Sequence, residues 1–288
     1  MTPDLDSLLL HDKTKAQLNQ IVEQPVQGIL MTGHDGYGKK TIAKALLAKI
    51  LGKLTDANLL IITANDMHNI GIEKIKEIKD FVKLKTIGTS EYRRAILVVN
   101  GEYMTTEAQN ALLKTLEEPP SDTLIVITAS QPKLLLPTIR SRVTEVHILP
   151  VTTEQIISYY ADQFTPEEIK QASLIGNGAA GLTHALLHES EDHQLAMAVQ
   201  EAKTILTESP FLRLSSVDAL AKDKNKVRLM LDALARIGRA TMTQVAGQHK
   251  TRSVEAWQKR LELIHETHEY IDKNVSTKLM LTNLFLNL

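Results

Sequence analysis

Five short apolar runs, separated by amphipathic stretches, constrain the first half of this chain more than any other feature. They read GILMT at 28–32, LLIITA at 59–64, AILVV at 95–99, LIVIT at 124–128 and TEVHIL at 144–149. Each is rich in Ile, Val and Leu and nearly continuous in hydrophobicity. Such runs suit parallel strands covered by helices on both faces, because a sheet with one wet face would alternate apolar and polar residues. The intervening stretches at 13–23, 40–51, 71–85 and 105–118 carry helical periodicity. Strand–helix alternation predicts a doubly wound α/β domain.

After Pro150 the strand signals stop. Residues 153–188 read as three short helices, broken near 164–166 and 176–181, and only long helices follow from about 190. Trp257, Leu261, Ile264, His268, Ile271 and Val275 recur at spacings of four and three, which predicts a buried seam on one helix. The apolar seams of 190–288 exceed what one small bundle needs, so this region is expected to be the main association surface.

Composition narrows the function classes. The 33 Lys and Arg balance 34 Asp and Glu, whereas a dedicated nucleic-acid-coating protein carries a large basic excess. Zero cysteines exclude a disulfide, a thiol nucleophile and a cysteine-ligated zinc. The start MTPDLDSLLL has acids and no leader pattern, and no uncharged run approaches the ~18 residues of a membrane span. A soluble cytoplasmic protein with no membrane partner is expected.

Gly33-His34-Asp35-Gly36-Tyr37-Gly38-Lys39-Lys40-Thr41 follows the first apolar run and opens a helix. Gly33, Gly36 and Gly38 would let the backbone wrap phosphate oxygens, the helix N-terminus would supply positive potential, and Lys39 would neutralise the β- and γ-phosphates. The residue after Lys39 should be Ser or Thr to hold Mg²⁺. Here it is Lys40, and an ammonium does not ligate a cation. Thr41 comes one residue late. A phosphate loop impaired in magnesium chemistry is expected, so ATP or ADP binding at Gly33, Gly36, Gly38, Lys39 and Thr41 is an open expectation and no cofactor is required. The bland alternative is a glycine turn that binds nothing. An ATPase also needs acids at the end of a neighbouring strand. That strand ends Val98-Val99-Asn100-Gly101-Glu102, with Glu102 past its end. Glu102 reads as a solvated loop acid, or as a displaced catalytic one.

Residues 105–120 read TTEAQNALLKTLEEPP: Thr106 with Gln109 makes a capping-box pattern, Leu112, Leu113 and Leu116 form the apolar side, and Pro119-Pro120 stop the helix. Residues 134–149 read LLLPTIRSRVTEVHIL. These strings, with GILMTGHDGYGKKTIAKALLAKIL at 28–51, IGIEKIKEIKDFVKLKT at 70–86 and NVSTKLMLTNLFLNL at 274–288, resemble the bacterial clamp-loader branch of the AAA+ ATPases. Within that branch the delta-prime subunits of DNA polymerase III match best.

The resemblance implies three parts: an AAA+ α/β domain at 1–150, a small helical lid at 151–189 and an all-α collar at 190–288. It implies a non-hydrolysing subunit of the complex that loads a sliding clamp onto primed DNA. The implied partners are the gamma/tau motor and delta subunits, the clamp, and primer-template DNA through the assembled complex. On the family pattern Val99 and Asn100 stand where the two catalytic acids belong, Lys40 where the Mg²⁺-binding hydroxyl belongs, and Gly181 where the lid's phosphate-sensing Arg belongs. Ser141-Arg142-Val143 matches Ser-Arg-Cys, whose Arg acts in trans as an arginine finger on a neighbour's ATP. Arg140 is the local competitor, and a structural salt-bridged Arg the alternative. The family's four-cysteine zinc module is missing: only GKLTDAN at 52–58 joins the loop's helix to the second run, and no zinc is expected. Competing readings are an active gamma/tau-like ATPase using Lys39 and Glu102, and an AAA+ adaptor outside replication.

Two further patterns read as ordinary surface. Lys74, Lys76, Lys79, Lys83 and Lys85 interleave with Glu73, Glu77 and Asp80, which predicts a salt-bridged face. A DNA-backbone contact is the alternative, since in the family this helix faces the DNA chamber. His184 with His188, and His265 with His268, read as satisfied or exposed histidines rather than metal ligands.

Overall fold

The structure, a computed structural model, describes residues 2–64, 69–83, 91–247, 251–271, 273 and 275–288. The chain divides into two compact units, Met1–Gln155 and Ile156–Leu288.

The first unit is built on a parallel five-stranded sheet in the order β2-β3-β4-β1-β5. The elements are α1 (Asp12–Glu23), β1 (Gly28–Thr32), α2 (Lys39–Leu51), β2 (Leu59–Ile62), α3 (Ile72–Lys83), β3 (Arg94–Val98), α4 (Thr106–Glu117), β4 (Thr123–Ala129), α5 (Pro137–Arg140) and β5 (Thr144–His147). All five expected strands and all four helices form. Lys85, expected on the third helix, lies outside the described residues.

Alternation along the strands supplies a core on each face of the sheet. Ile29, Met31, Leu97 and Val126 pack with Leu18 of α1 and Ile42, Leu46 and Leu47 of α2. Leu30, Ile96, Val98 and Ile127 pack with Ile78 of α3, Leu112 of α4 and Ile139 of α5. Burial on both faces explains why the central runs carry almost no polar residue. TEVHIL departs from that: within β5 only Val146 is buried, because this edge strand has one neighbour, β1.

A buried ion pair ties one end of this sheet together. Arg94 makes a forked contact with Asp122 (Nε–Oδ1 3.1 Å, Nη2–Oδ1 2.9 Å, Nη2–Oδ2 3.1 Å) and donates to the carbonyls of Phe81 and Val82 at the end of α3. The planar guanidinium thereby joins α3 to the starts of β3 and β4.

The remaining helices are α6 (Thr153–Tyr160), α7 (Pro166–Gly176), α8 (Ala180–Leu187), α9 (Gln194–Thr207), α10 (Pro210–Leu220), α11 (Lys224–Ala246), α12 (Thr251–Tyr270) and α13 (Thr277–Asn287). The breaks expected near 164–166 and 176–181 are present. In the second unit α11 is central, burying Val227, Leu231 and Leu234 against helices on several sides. Ile175 of α7 and Leu186 of α8 pack against the same core, and Arg236 of α11 donates to the Gly176 carbonyl at 3.0 Å.

The α12 seam is corrected in one place. Ile264 and Ile271 are buried, and Trp257 and Leu261 are partly buried, but His268 is exposed and Thr267 takes its inward position. The helical period of 3.6 makes positions 267 and 268 near-equivalent by spacing. Thr267 satisfies its hydroxyl on the Leu263 carbonyl at 2.7 Å, so it is the one that tolerates burial. Val275, expected to extend the seam, lies beyond the helix and is 45% exposed.

Candidate functional site

The phosphate-loop sequence forms a turn between β1 and α2. Gly33, Gly36 and Gly38 all have positive φ (152°, 85° and 83°), a backbone that side chains resist. A Cβ at Gly33 would also meet the Ile148 carbonyl at 2.9 Å. Lys40 and Thr41 are exposed on the first turn of α2.

Lys39 is buried, with its ammonium turned back into its own loop. Nζ donates to the carbonyls of Gly33 at 2.7 Å and His34 at 3.1 Å and to the Ser130 hydroxyl at 2.8 Å. These contacts account for all three ammonium hydrogens. The Asp35 carboxylate lies 3.6 Å away and also hydrogen-bonds Ser130. Burial pushes the Lys39 pKa below its ordinary value, and the charges of Asp35 and Glu102 partly oppose this.

Val99 is partly buried in the core, and Asn100 has a left-handed backbone (φ 54°, ψ 62°). The Asn100 N–H donates to Thr128 Oγ1 at 2.9 Å. Val99 and Asn100, where the resemblance puts two catalytic acids, therefore offer no carboxylate. Glu102 is not the solvated loop acid expected of it. Its Oε1 accepts from the Ser130 N–H at 2.7 Å, while its buried Oε2 has no hydrogen-bond partner. It braces the end of β4 beside Lys39, a role that sequence reading missed together with Ser130. A polar residue ending β4 was the available signal.

Arg142 belongs to the opposite end of the sheet. It precedes β5, and its carbonyl lies 3.2 Å from where a Cβ on Gly28, the first residue of β1, would stand. The phosphate loop follows the last residue of β1. Parallel strands rise about 3.3 Å per residue, so roughly 16 Å of sheet separates the two. The Arg142 side chain is 36% exposed; Nη1 donates to Thr138 O at 2.9 Å and Ser141 Oγ at 3.4 Å, and Nη2 forms an ion pair with Glu117 Oε1 at 2.8 Å. It borders a cavity of about 480 Å³ lined also by Gln27, Gly28, Glu117, Pro119 and Ser141. Arg140 turns elsewhere and meets Glu145 at 3.9 Å.

The two specific sequence strings meet physically. Thr105, rather than Thr106, caps α4 through the Ala108 N–H, which leaves Gln109 free for another task. Buried Gln109 donates to the carbonyls of Met104 and Leu134, each at 3.2 Å, and accepts from the Leu136 N–H at 2.7 Å. It staples α4 to the segment that leads into α5 and Arg142.

The remaining candidates are surface features. Lys74–Glu77, Lys76–Glu73 and Lys83–Asp80 pair along α3 at 3.1, 2.8 and 3.0 Å. Gly181 lies in the first turn of α8. His184 and His188 stack 4.0 Å apart, and His184 Nδ1 hydrogen-bonds the Tyr160 hydroxyl at 3.0 Å. Among the described residues, no group of three or more His, Asp or Glu could hold a metal ion.

A parallel sheet in this order, a glycine loop after β1 and an all-helical region after it define the class of fold, that of the AAA+ proteins. Its structure superposes on that of a DNA polymerase III gamma subunit-related protein from Thermotoga maritima, with a TM-score of 0.58, 22% identity, and coverage of 95% of this chain and 97% of that one. A RuvB variant from the same organism reaches a TM-score of 0.50 at 15% identity, covering 71% of this chain and 67% of that one. Residues 10–152 match the family described as DNA polymerase III, delta subunit. The delta' subunit of DNA polymerase III from Pseudomonas aeruginosa is 28% identical over 235 residues, 72% of this chain and 68% of that protein. The replication factor C small subunit of Methanococcus maripaludis is 28% identical over 152 residues, 53% of this chain and 48% of that protein. The chain spans about half the length of the first such relatives.

Proposed function

We propose that this chain is a delta-prime-like subunit of a replicative clamp loader, one that does not hydrolyse ATP itself and supplies Arg142 to a neighbouring subunit's nucleotide. The separation of Arg142 from Lys39 carries this reading. A guanidinium at one end of the sheet cannot reach a phosphate in the loop at the other, so any phosphate it serves belongs to another chain. Support comes from Val99 and Asn100, which bring no acid, from Lys40, which brings no metal ligand, and from the saturated ammonium of Lys39. The partners on this reading are the gamma/tau motor and delta subunits, the sliding clamp, and primer-template DNA within the assembly. A lid at 151–189 and a collar at 190–288 complete the proposed subunit, which works in the cytoplasm.

The deciding measurement is ATP turnover by the purified chain, alone and then with the motor subunits and clamp. No turnover alone, with stimulation of the motor that needs Arg142, is the expected result. Magnesium-dependent turnover by the chain alone, abolished by Lys39→Ala, would sink the reading. One observation favours an alternative: the orphaned Oε2 of Glu102 lies near Lys39, where a displaced catalytic acid would stand. Loss of turnover in Glu102→Gln would establish that active-ATPase reading instead.

A further inference from the structure

The Arg142 guanidinium is held from two directions. Thr138 O holds Nη1 at 2.9 Å, and Glu117 Oε1 holds Nη2 at 2.8 Å. Both holders stand on constrained backbone. Thr138 lies in α5, beside fully buried Ile139, whose carbonyl accepts the Arg142 N–H at 3.0 Å. Glu117 is the last residue of α4, between buried Leu116 and the Pro119-Pro120 stop. The Pro120 carbonyl is fixed in turn by the Gln27 side chain at 2.9 Å. A long exposed arginine ordinarily samples many rotamers, and ordering it at the moment of reaction costs free energy. Here Nη1 donates to Thr138 O and Ser141 Oγ, and the Glu117 carboxylate pairs with Nη2 from the other side, so the guanidinium is already oriented.

We propose that Glu117 is a positioning residue for Arg142, holding the guanidinium at the mouth of the cavity beside β1 so that it is already oriented when a neighbour's phosphate arrives. The inference rests on reading Arg142 as a finger acting in trans. Glu117 touches no substrate and acts through Arg142. Its carboxylate is 47% exposed, so the pair adds little to folding and removing it should leave the chain intact.

The test uses the full chain assembled with the motor subunits and clamp, with ATP hydrolysis followed across ATP concentration. Glu117→Gln should lower the maximal rate at the served site by about tenfold, because a misplacement of about 1 Å can cost ~10²-fold. The ATP concentration for half-maximal rate should stay unchanged, and Glu117→Asp should recover part of the loss. Thermal melts would confirm that both variants fold. The double variant Glu117→Gln with Arg142→Ala should match Arg142→Ala alone, since a positioning residue has nothing to position once its target is gone. If Arg142→Ala slows hydrolysis but Glu117→Gln does not, the positioning role falls and the finger stands. Additive losses, or faster hydrolysis in Glu117→Gln, would also overturn it. If Arg142→Ala has no effect, the finger reading falls and takes this inference with it.

Discussion

Lys39 Nζ donates to Ser130 Oγ at 2.8 Å, joining the first turn of α2 to the end of β4 across 91 residues of sequence. A loop lysine that reaches for phosphate must first give up this contact and its two carbonyls. The Asp35 carboxylate adds a negative charge where a phosphate would need a positive one.

Asp35→Asn should therefore bind Mg-ATP more tightly than the unaltered chain, by about three- to tenfold, or up to ~1.4 kcal/mol. Isothermal titration at low salt measures this, since screening weakens the charge effect. Weaker binding by the variant would show that Asp35 organises the loop rather than competing within it.

Arg142→Ala should leave folding and assembly intact and reduce clamp-stimulated ATP hydrolysis by roughly 10–10³-fold at the one site it serves. Bulk hydrolysis should fall less, because other sites keep their own fingers. Arg142→Lys should not rescue, since an ammonium lacks the planar fork. Normal clamp loading by the alanine variant would make Arg142 structural and Arg140 the next residue to test.

Asp122→Ala removes the carboxylate from beside buried Arg94. Breaking a buried pair from one side typically costs ~3–5 kcal/mol, because the remaining charge loses its partner. Urea denaturation should show a loss of this order. Arg94→Met with Asp122→Leu should recover much of it. Equal stability of Asp122→Ala and the original chain would contradict this account of the pair.

The second unit should lose stability in mild acid. Burial first, then the charges of His188 and His193, hold the His184 pKa below its ordinary value. Tyr160 and Phe164 also face this cluster. Between the folded pKa and about 6.5 the unfolded chain binds more protons, so stability falls as pH drops through that window and is flat above it. His184→Phe should flatten the fall. An unchanged pH slope in thermal melts of this variant would remove His184 as the cause.

Truncation tests the two-unit division. A chain ending at Gln155 keeps both apolar cores of the sheet and should fold cooperatively. One ending at residue 189 keeps α7 and α8 without α9–α13, exposing Ile175 and Leu186, and should aggregate or lose helix content in that segment. Equal behaviour of the two would place the structural boundary at 189.

The parallel sheet, the loop after β1 and the absence of acids at 99 and 100 were legible in the sequence, because each depends on residue type within a short stretch. The 3.6 period named the α12 seam but did not distinguish Thr267 from His268, since both lie near the same face. The cap at Thr105 was missed by one residue, and the meaning of Gln109 was missed with it. Thr267 and Thr105 bond within their own helices, where spacing alone does not separate them from a neighbour, whereas Gln109 finds Leu134 and Leu136 across the fold, partners of which local spacing carries no record.

The sequence by itself determined that this chain has an α/β half with the fold of AAA+ proteins and a glycine loop after its first strand, followed by helices. Apolar periodicity sets which faces are buried, and the loss of an oxygen ligand or a carboxylate at a position is a fact of composition. Only the tertiary structure decided what the surviving groups do. It tied Lys39 to Ser130, set Glu102 on the Ser130 N–H and gave Arg142 to Glu117 at the far end of the sheet. Those pairings join residues 25 to 91 positions apart. Their geometry follows from strand order and helix packing, which bring distant residues within about 3 Å.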